Sequence, residues 1–293
     1  ELLASDFTMT LGSSSAIVAH NLAALGMRVS FQSVTGDDAL GTAACKHLAD
    51  GGVDVTGVQQ LPGRKTGVTV LLPHATDRHI LTYLGTISDL SVADLDQPKL
   101  CSARHFHLSS LYLQRNLHAG LPELLAELKR SGMTISLDPN DDPDDTWGSP
   151  LLEVLPFVDI FMPNESELCR MTKRDNLSAA LEVMQPLVPT IVVKRGSLGA
   201  MVVSQGAVIE VPPLQLANVI DTIGAGDSFD AGFLAALLSG KDLGTAARCG
   251  NLAGALSTQG RGGIEAFTQA SIYEPFLANE DPANLLALGP SRS

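Results

Sequence analysis

The stretch 221-DTIGAGDSFDAGFLAALLSG-240 sets two glycines around an alanine, places an aspartate directly after them, and then runs into an apolar segment. Glycine lets a backbone approach a ligand closely and take conformations barred to other residues. The first N–H groups of a helix lack partners and carry about half a positive charge, so a helix start is a ready anion site. Here Phe229, Phe233, Leu234, Leu237 and Leu238 fall on one side of the predicted helix, and Gly240 closes it. A resting phosphate would be repelled by Asp227. A phosphoryl group under attack by an alcohol would not be. The carboxylate takes the alcohol's proton while the amides of Gly224, Ala225 and Gly226 stabilise the transferring group. The plainer reading makes Asp227 a helix cap after a flexible turn. The residues alone leave both open.

Around this stretch, strand and helix patterns alternate. Apolar β-rich runs stand at 29-VSFQSV-34, 105-HFHLSS-110, 134-TISLDP-139, 158-VDIFMP-163, 190-TIVVKRG-196 and 200-AMVVS-204. In 118-HAGLPELLAELKRSG-132, Leu121, Leu124, Leu125 and Leu128 form one helical stripe, closed by Lys129, Arg130 and Gly132. The alternation predicts an α/β fold, a doubly wound and mostly parallel sheet covered on both faces. One region departs from it. In 64-RKTGVTVLLPHATDRHILTYLGT-86, Thr66, Val68, Val70 and Leu72 share one face, and His79, Leu81 and Tyr83 share a face of the return strand. This is either a small antiparallel lid or an edge hairpin of the main sheet.

The 293 residues are 45% hydrophobic, enough for one sizeable domain, and no apolar run is long enough to span a bilayer. A formal charge of −13 disfavours nucleic acid and anionic membranes as partners. Cys45, Cys101, Cys169 and Cys249 are scattered without a CxxC, which fits a reducing cytoplasm better than a disulfide framework or zinc. His105 and His107 face one side of a strand without a third metal ligand in view. The run 138-DPNDDPDDTW-147 reads as turns and caps, with Asn140 at a strand's carboxyl end and Trp147 unassigned.

Asp221, Thr222, Gly224, Ala225, Gly226, Asp227, Phe229 and Gly232 match the signature D-T-x-G-A-G-D plus apolar helix. The chain thereby resembles the ribokinase-like (PfkB) family of carbohydrate kinases. The order of segments agrees. The glycine-rich start and helix read 12-GSSSAIVAHNLAALG-26, and a G-D-D-x-x-G stretch follows as 36-GDDALG-41. Ser13 replaces the usual second glycine, and Ile17 stands where an asparagine is common. Both put the usual sugar contacts of Gly12 and Ser13 in doubt. The family's first strand, with a sugar-binding aspartate, is expected before Glu1. The resemblance implies a single ribokinase-like kinase domain over 1–293, with a β lid formed by about 1–12 and 64–86.

It also implies roles. An N-x-x-E motif gives Asn164 near the phosphates and Glu167 as a water-mediated Mg²⁺ ligand. The same spacing is a helix capping box. In 194-KRGSLGAMV-202, Lys194 and Gly196 would line the nucleotide; otherwise the stretch is a strand-to-strand turn. In 247-ARCGNLAGALSTQGRGGI-264, Asn251 would lie near the nucleotide, and Asp221, Ser257, Gly260 and Gly262 near a monovalent cation such as K⁺. The alternative there is close helix packing.

The implied activity is phosphoryl transfer from ATP, with Mg²⁺, to a hydroxyl, most simply a primary one, of a sugar or sugar-like alcohol. Asp227 is the base; its place at a helix start favours the ionised form. The exposed strand edges of the lid suit a homodimer. The first rival is a nucleoside kinase, which would want an aromatic-lined acceptor pocket; only 4% of residues are aromatic. The second is a non-catalytic sugar or nucleotide sensor on the same fold, which would have no use for the base. An NAD-dependent oxidoreductase lacks its GxGxxG after an early strand.

Overall fold

A computed structural model describes residues 6–74, 77–214, 216 and 219–268. The chain divides into two compact units, Ser30–Pro213, and Glu1–Val29 together with Leu214–Ser293.

The larger unit holds every strand among the described residues. These are β1 (Ser30–Gly36), β2 (Asp54–Leu61), β3 (Val68–His74), β4 (Asp77–Tyr83), β5 (His105–Ser109), β6 (Thr134–Asp138), β7 (Ile160–Phe161), β8 (Thr190–Lys194), β9 (Ala200–Ser204) and β10 (Ala207–Val211). The main sheet has the order β10-β9-β8-β7-β6-β5. Strands β5 to β8 run parallel, and β9 and β10 are added antiparallel. All six β-rich runs picked out by pattern are strands; β2 and β10, which alternate weakly, were not anticipated.

The sheet is two-faced, because side chains alternate along each strand. On one face lie Leu108, Ile135, Leu137, Phe161, Ile191, Val193 and Val203, all inside the core. Within the same core, α4 (Leu121–Arg130) buries Leu121, Leu124, Leu125 and Leu128, each at most 2% exposed. At about 1.5–3 kcal/mol per buried leucine, this stripe fixes the helix far more firmly than helix propensity does. The opposite face carries His105, His107 and Ser109 beside Thr134, Ser136 and Asp138. The unit's remaining helices are α2 (Ala39–Asp50), α3 (Gln97–Cys101), α5 (Leu151–Val154), α6 (Glu165–Thr172) and α7 (Leu177–Met184).

The hairpin β3–β4 is a sheet of its own, not an edge of the main one. Its register pairs Val68 with Tyr83, Val70 with Leu81 and Leu72 with His79, the face grouping that the alternation implied. Val70, Leu72, Ile80, Leu81 and Tyr83 are all exposed. Residues 6–12 have no regular secondary structure, and residues 1–5 lie outside the described residues.

The smaller unit is helical: α1 (Ser14–Ala24), α8 (Ala225–Leu238) and α9 (Leu243–Ser257). Small residues bring α8 and α9 together. A Cβ on Gly232 would stand 2.5 Å from Ala253 Cβ, and one on Gly250 2.8 Å from the Phe229 ring. The small-residue pattern of α9 is therefore used for close packing. No helix among the described residues is long and apolar enough to cross a membrane.

Candidate active site

In the helical unit, the turn before α8 has the form that its sequence requires. Gly224 is the N-cap residue, with φ 71° and ψ 8°. A Cβ there would come within 2.5 Å of Gly263 Cα. Gly224 is thus demanded twice, by its left-handed backbone and by the loop lying against it. Ala225 N–H makes a long 3.3 Å bond back to Thr222 O, and Ser228 N–H closes the first helical turn onto Gly224 O at 2.8 Å. Gly226 and Asp227 lie in the first turn of α8. Asp227 is buried, 8% exposed.

Asp221 ties the two glycine loops together. Its Oδ1 accepts Ile223 N–H at 3.0 Å and its Oδ2 accepts Gly262 N–H at 2.9 Å. Both oxygens are therefore occupied by main-chain donors. Ser257, also offered for a cation loop, is 1% exposed and donates to Gly254 O at 2.8 Å. Gly12 and Ser13 are exposed at the start of α1. Ser13 keeps a glycine-like backbone, φ 68° and ψ 118°, although it carries a side chain. Ile17 is 4% exposed and packs under the second loop, since a Cβ on Gly263 would lie 2.7 Å from its Cδ1. Asn251 is half-buried on α9.

Sequence reasoning missed what holds this region from beneath. Asn21, fully buried on α1, donates to Ser228 Oγ at 3.0 Å and to Gly263 O at 2.9 Å. An asparagine inside an apolar helical stripe was the available signal, because a buried amide must find partners.

In the larger unit, Asp138, Asn164, Glu167 and Lys194 gather where β6, β7 and β8 end. Asn164 and Glu167 do form the capping box of α6: Asn164 Oδ1 accepts Glu167 N–H, and Glu167 Oε2 accepts Asn164 N–H, each at 2.8 Å. Lys194 N–H donates to Pro163 O at 3.0 Å, which ties β8 to this helix start. Lys194 Nζ lies 2.5 Å from Asp138 Oδ2, and the Asp138 side chain is 1% exposed. Asp138 also accepts Asn140 N–H at 3.1 Å and the Asn140 amide at 3.2 Å. Asn140 Oδ1 in turn takes Ser110 N–H at 2.7 Å. The composition around Asp138 places it in a turn. Its burial makes it the counter-ion of Lys194.

Burial, and then the negative charge of Asp138, push the Glu167 carboxyl up to about 7, with Lys194 pulling the other way. A cation beside Glu167 would favour its charged form. Among the described residues no cluster of three His, Cys, Asp or Glu side chains could hold a metal by itself. A single glutamate fits Mg²⁺, which is commonly held by one or two carboxylates, water and substrate phosphate. Gly196 sits in the turn Gly196–Leu198 with φ 54° and open space around it, while Arg195 pairs with Glu165 at 2.8 Å.

His105 bonds Thr134 Oγ1 and Ser136 Oγ, and His107 bonds Ser136 Oγ, all at 2.8 Å. Burial lowers both imidazoles, to about 4 and about 3, so both are neutral at pH 7. In the acidic run, Asp142 is buried and accepts the N–H groups of Asp144, Thr146 and Trp147, the local capping that its composition implied.

The model of the pfkB family of carbohydrate kinases matches residues 2–270. An ATP-dependent ribose-1-phosphate kinase of Halopiger xanaduensis is 30% identical over 273 residues, covering 91% of this chain and 86% of that protein. An E. coli chain provisionally assigned as ribokinase II, solved with ATP and Mg²⁺, superposes with a TM-score of 0.82 at 26% identity, over 94% of this chain and 95% of that one. Arabidopsis thaliana ribokinase, solved with ribose and ATP, gives a TM-score of 0.81 at 26% identity, over 96% and 92% of the two chains.

Proposed function

The chain belongs to the pfkB family of carbohydrate kinases, and from that premise we propose that it transfers the γ-phosphoryl group of ATP to a hydroxyl, a primary one, of a sugar or sugar-like alcohol. The observation that carries the reading is the turn at Gly224. Its left-handed backbone is wedged against Gly263, and Asp227 follows three residues later in the first turn of α8. That arrangement offers main-chain donors to an oxyanion and a carboxylate to an attacking hydroxyl.

Phosphoryl transfer passes through a loose transition state, so positioning and charge stabilisation matter more than a strong base. Asp227 aligns the acceptor hydroxyl and receives its proton late. The amides of Gly224, Ala225 and Gly226 support the charge that builds on the moving group. Gly12 and Ser13 contact the acceptor. Asn164, Lys194, Gly196 and Asn251 serve the nucleotide, with Lys194 held in place by Asp138. Glu167 would hold Mg²⁺ through water; when bound, the ion neutralises phosphate charge. Asp221 belongs to the loop that K⁺ would stabilise. As the lid of this reading, the hairpin β3–β4 would close on the bound acceptor and exclude water. Its exposed apolar side chains pair it with the hairpin of a second copy, a homodimer that a monomeric mass in solution would remove.

All three of these similar proteins are named for ribose or its 1-phosphate. The test is therefore acceptor-dependent ADP release with ribose, ribose 1-phosphate, fructose, a sugar acid and nucleosides, with the product's phosphate position read by NMR. Turnover on one of them, at about 1–100 per second, supports the reading. Best use of a nucleoside moves the acceptor to that class. Nucleotide binding with no acceptor-dependent ADP release would contradict the reading and favour a sensor.

A further inference from the structure

We infer that Asn21 is a positioning residue for phosphoryl transfer: its one buried amide holds the cradle at Gly224 and the carboxylate of Asp227 in a fixed relation. The inference rests on the proposed function, in which Asp227 is the base.

Asn21 is fully buried in α1. Its Nδ2 carries two hydrogens and spends them in two directions. One goes to Ser228 Oγ at 3.0 Å, the other to Gly263 O at 2.9 Å. Its Oδ1 meets His20 Nδ1 at 3.0 Å. Ser228 directly follows Asp227 and is itself fully buried. Gly263 is the residue against which Gly224 is wedged. One bond therefore fixes the helix turn that carries the carboxylate. The other fixes the loop that sets the height of the cradle. Ser228 Oγ also lies 3.4 Å from Gly263 O, closing a triangle of polar groups.

Ile17 stands one helical turn before Asn21, so the two share a face of α1. Ile17 supplies the apolar floor under Gly263, and Asn21 supplies the directional bonds. A hydrophobic side chain at position 21 could fill the volume. It would not fix direction, and it would leave Gly263 O with only the long 3.4 Å bond from Ser228 Oγ. Catalytic geometry is far more sensitive to such a shift than folding is: a displacement of about 1 Å can cost about 100-fold in rate.

The test compares wild type, Asn21→Ala, Ser228→Ala and Asp227→Asn, using the best acceptor of the wild type. Turnover, the KM for ATP, the pH profile of kcat and Tm are measured for each. Asn21→Ala is expected to lower kcat by about tenfold or more, to move the acid limb of the pH profile, and to leave the KM for ATP within about twofold. A purely structural role would lower Tm but leave the acid limb and kcat per folded molecule unchanged, and that result overturns the inference. Should Asn21→Ala fail to fold, Ser228→Ala decides. It deletes one of the two acceptors, is expected to lower kcat by about threefold or more, and overturns the inference if kcat stays at the wild-type value. If Asp227→Asn retains full turnover, the base assignment falls and this inference with it. If Asp227→Asn is inactive while Asn21→Ala is not impaired, only this inference falls.

Discussion

Asp38 holds Thr66 with both carboxylate oxygens: Oδ1 accepts the hydroxyl at 2.6 Å and Oδ2 accepts the main-chain N–H at 3.0 Å. Oδ1 also caps α2 by accepting Gly41 N–H at 2.9 Å. The Thr66 hydroxyl in turn receives Gly36 N–H at 3.0 Å. The stretch 36-GDDALG-41 is thus a clasp at the foot of the β3–β4 hairpin. A two-stranded hairpin is marginal by itself, so its foot decides how well it is held.

Removing the clasp is expected to loosen the hairpin without unfolding the chain. In Asp38→Ala, amide exchange at Gly41 and Thr66 should speed up, and the KM for the acceptor should rise by about tenfold while the KM for ATP stays near wild type. The bonds to Thr66 and Gly41 lower the Asp38 carboxyl to about 2 from an ordinary value of 3.8. A depressed carboxyl stabilises above its unfolded value. The clasp should therefore be intact above about pH 4 and be lost as pH falls towards 2, which exchange rates across that range would report.

Gly224 and Gly240 bracket α8 and make a matched pair. Both have positive φ, but a Cβ on Gly224 meets Gly263 Cα at 2.5 Å whereas one on Gly240 meets nothing within 4 Å. Gly240→Ala should cost about 1 kcal/mol, the backbone penalty alone, with normal turnover. Gly224→Ala should cost about 2–4 kcal/mol and lower kcat by at least about 100-fold, because the loop must move off the cradle. Denaturant unfolding and steady-state kinetics on both variants check this.

Ser13 carries a strained backbone at an exposed position, φ 68° with ψ 118°. That region suits glycine. Ser13→Gly should relieve strain while adding some unfolded-state entropy, for a net gain of about 0.5–1.5 kcal/mol in denaturant unfolding. Equal or lower stability would show that Ser13 is not strained.

Two neutral, half-buried histidines make the chain sensitive to mild acid. Their folded values of about 4 and about 3 lie below the ordinary 6.5, so the unfolded chain binds more protons between these limits. Stability should fall as pH drops through that window, by on the order of 1 kcal/mol per pH unit for each histidine. Glu167 acts oppositely between 4.5 and about 7, where the folded state holds the extra proton and stability falls as pH rises. Two histidines outweigh one glutamate, and below 4.5 they act unopposed. Chemical unfolding at pH 6.5, 5.0 and 4.2 should show the loss, and His105→Gln with His107→Gln should flatten it.

Much of this was readable in the chain. The α4 stripe, the six strand runs and the hairpin faces follow from periodicity, because each buries or exposes alternate residues in a fixed rhythm. Gly224 was readable because only a residue lacking Cβ suits that turn. Asn21, Asp138 and the Asp38–Thr66 clasp were not, since their meaning lies in contacts with residues 28 to more than 200 positions away. The apolar helix around Asn21 marks it as buried, but nothing local names Ser228 and Gly263 as its partners. The N-x-x-E spacing shows the opposite limit. It announced a capping box, which formed, and the same atoms remain suited to a metal–phosphate group.

The most direct measurement is phosphoryl transfer by Asp227→Asn beside its affinity for ATP. Substitution of one oxygen by an amide preserves shape and removes the proton acceptor. The account predicts a fall in kcat of about 100- to 10,000-fold with the ATP dissociation constant changed by less than about threefold. A variant that phosphorylates the acceptor as fast as the wild type would contradict it.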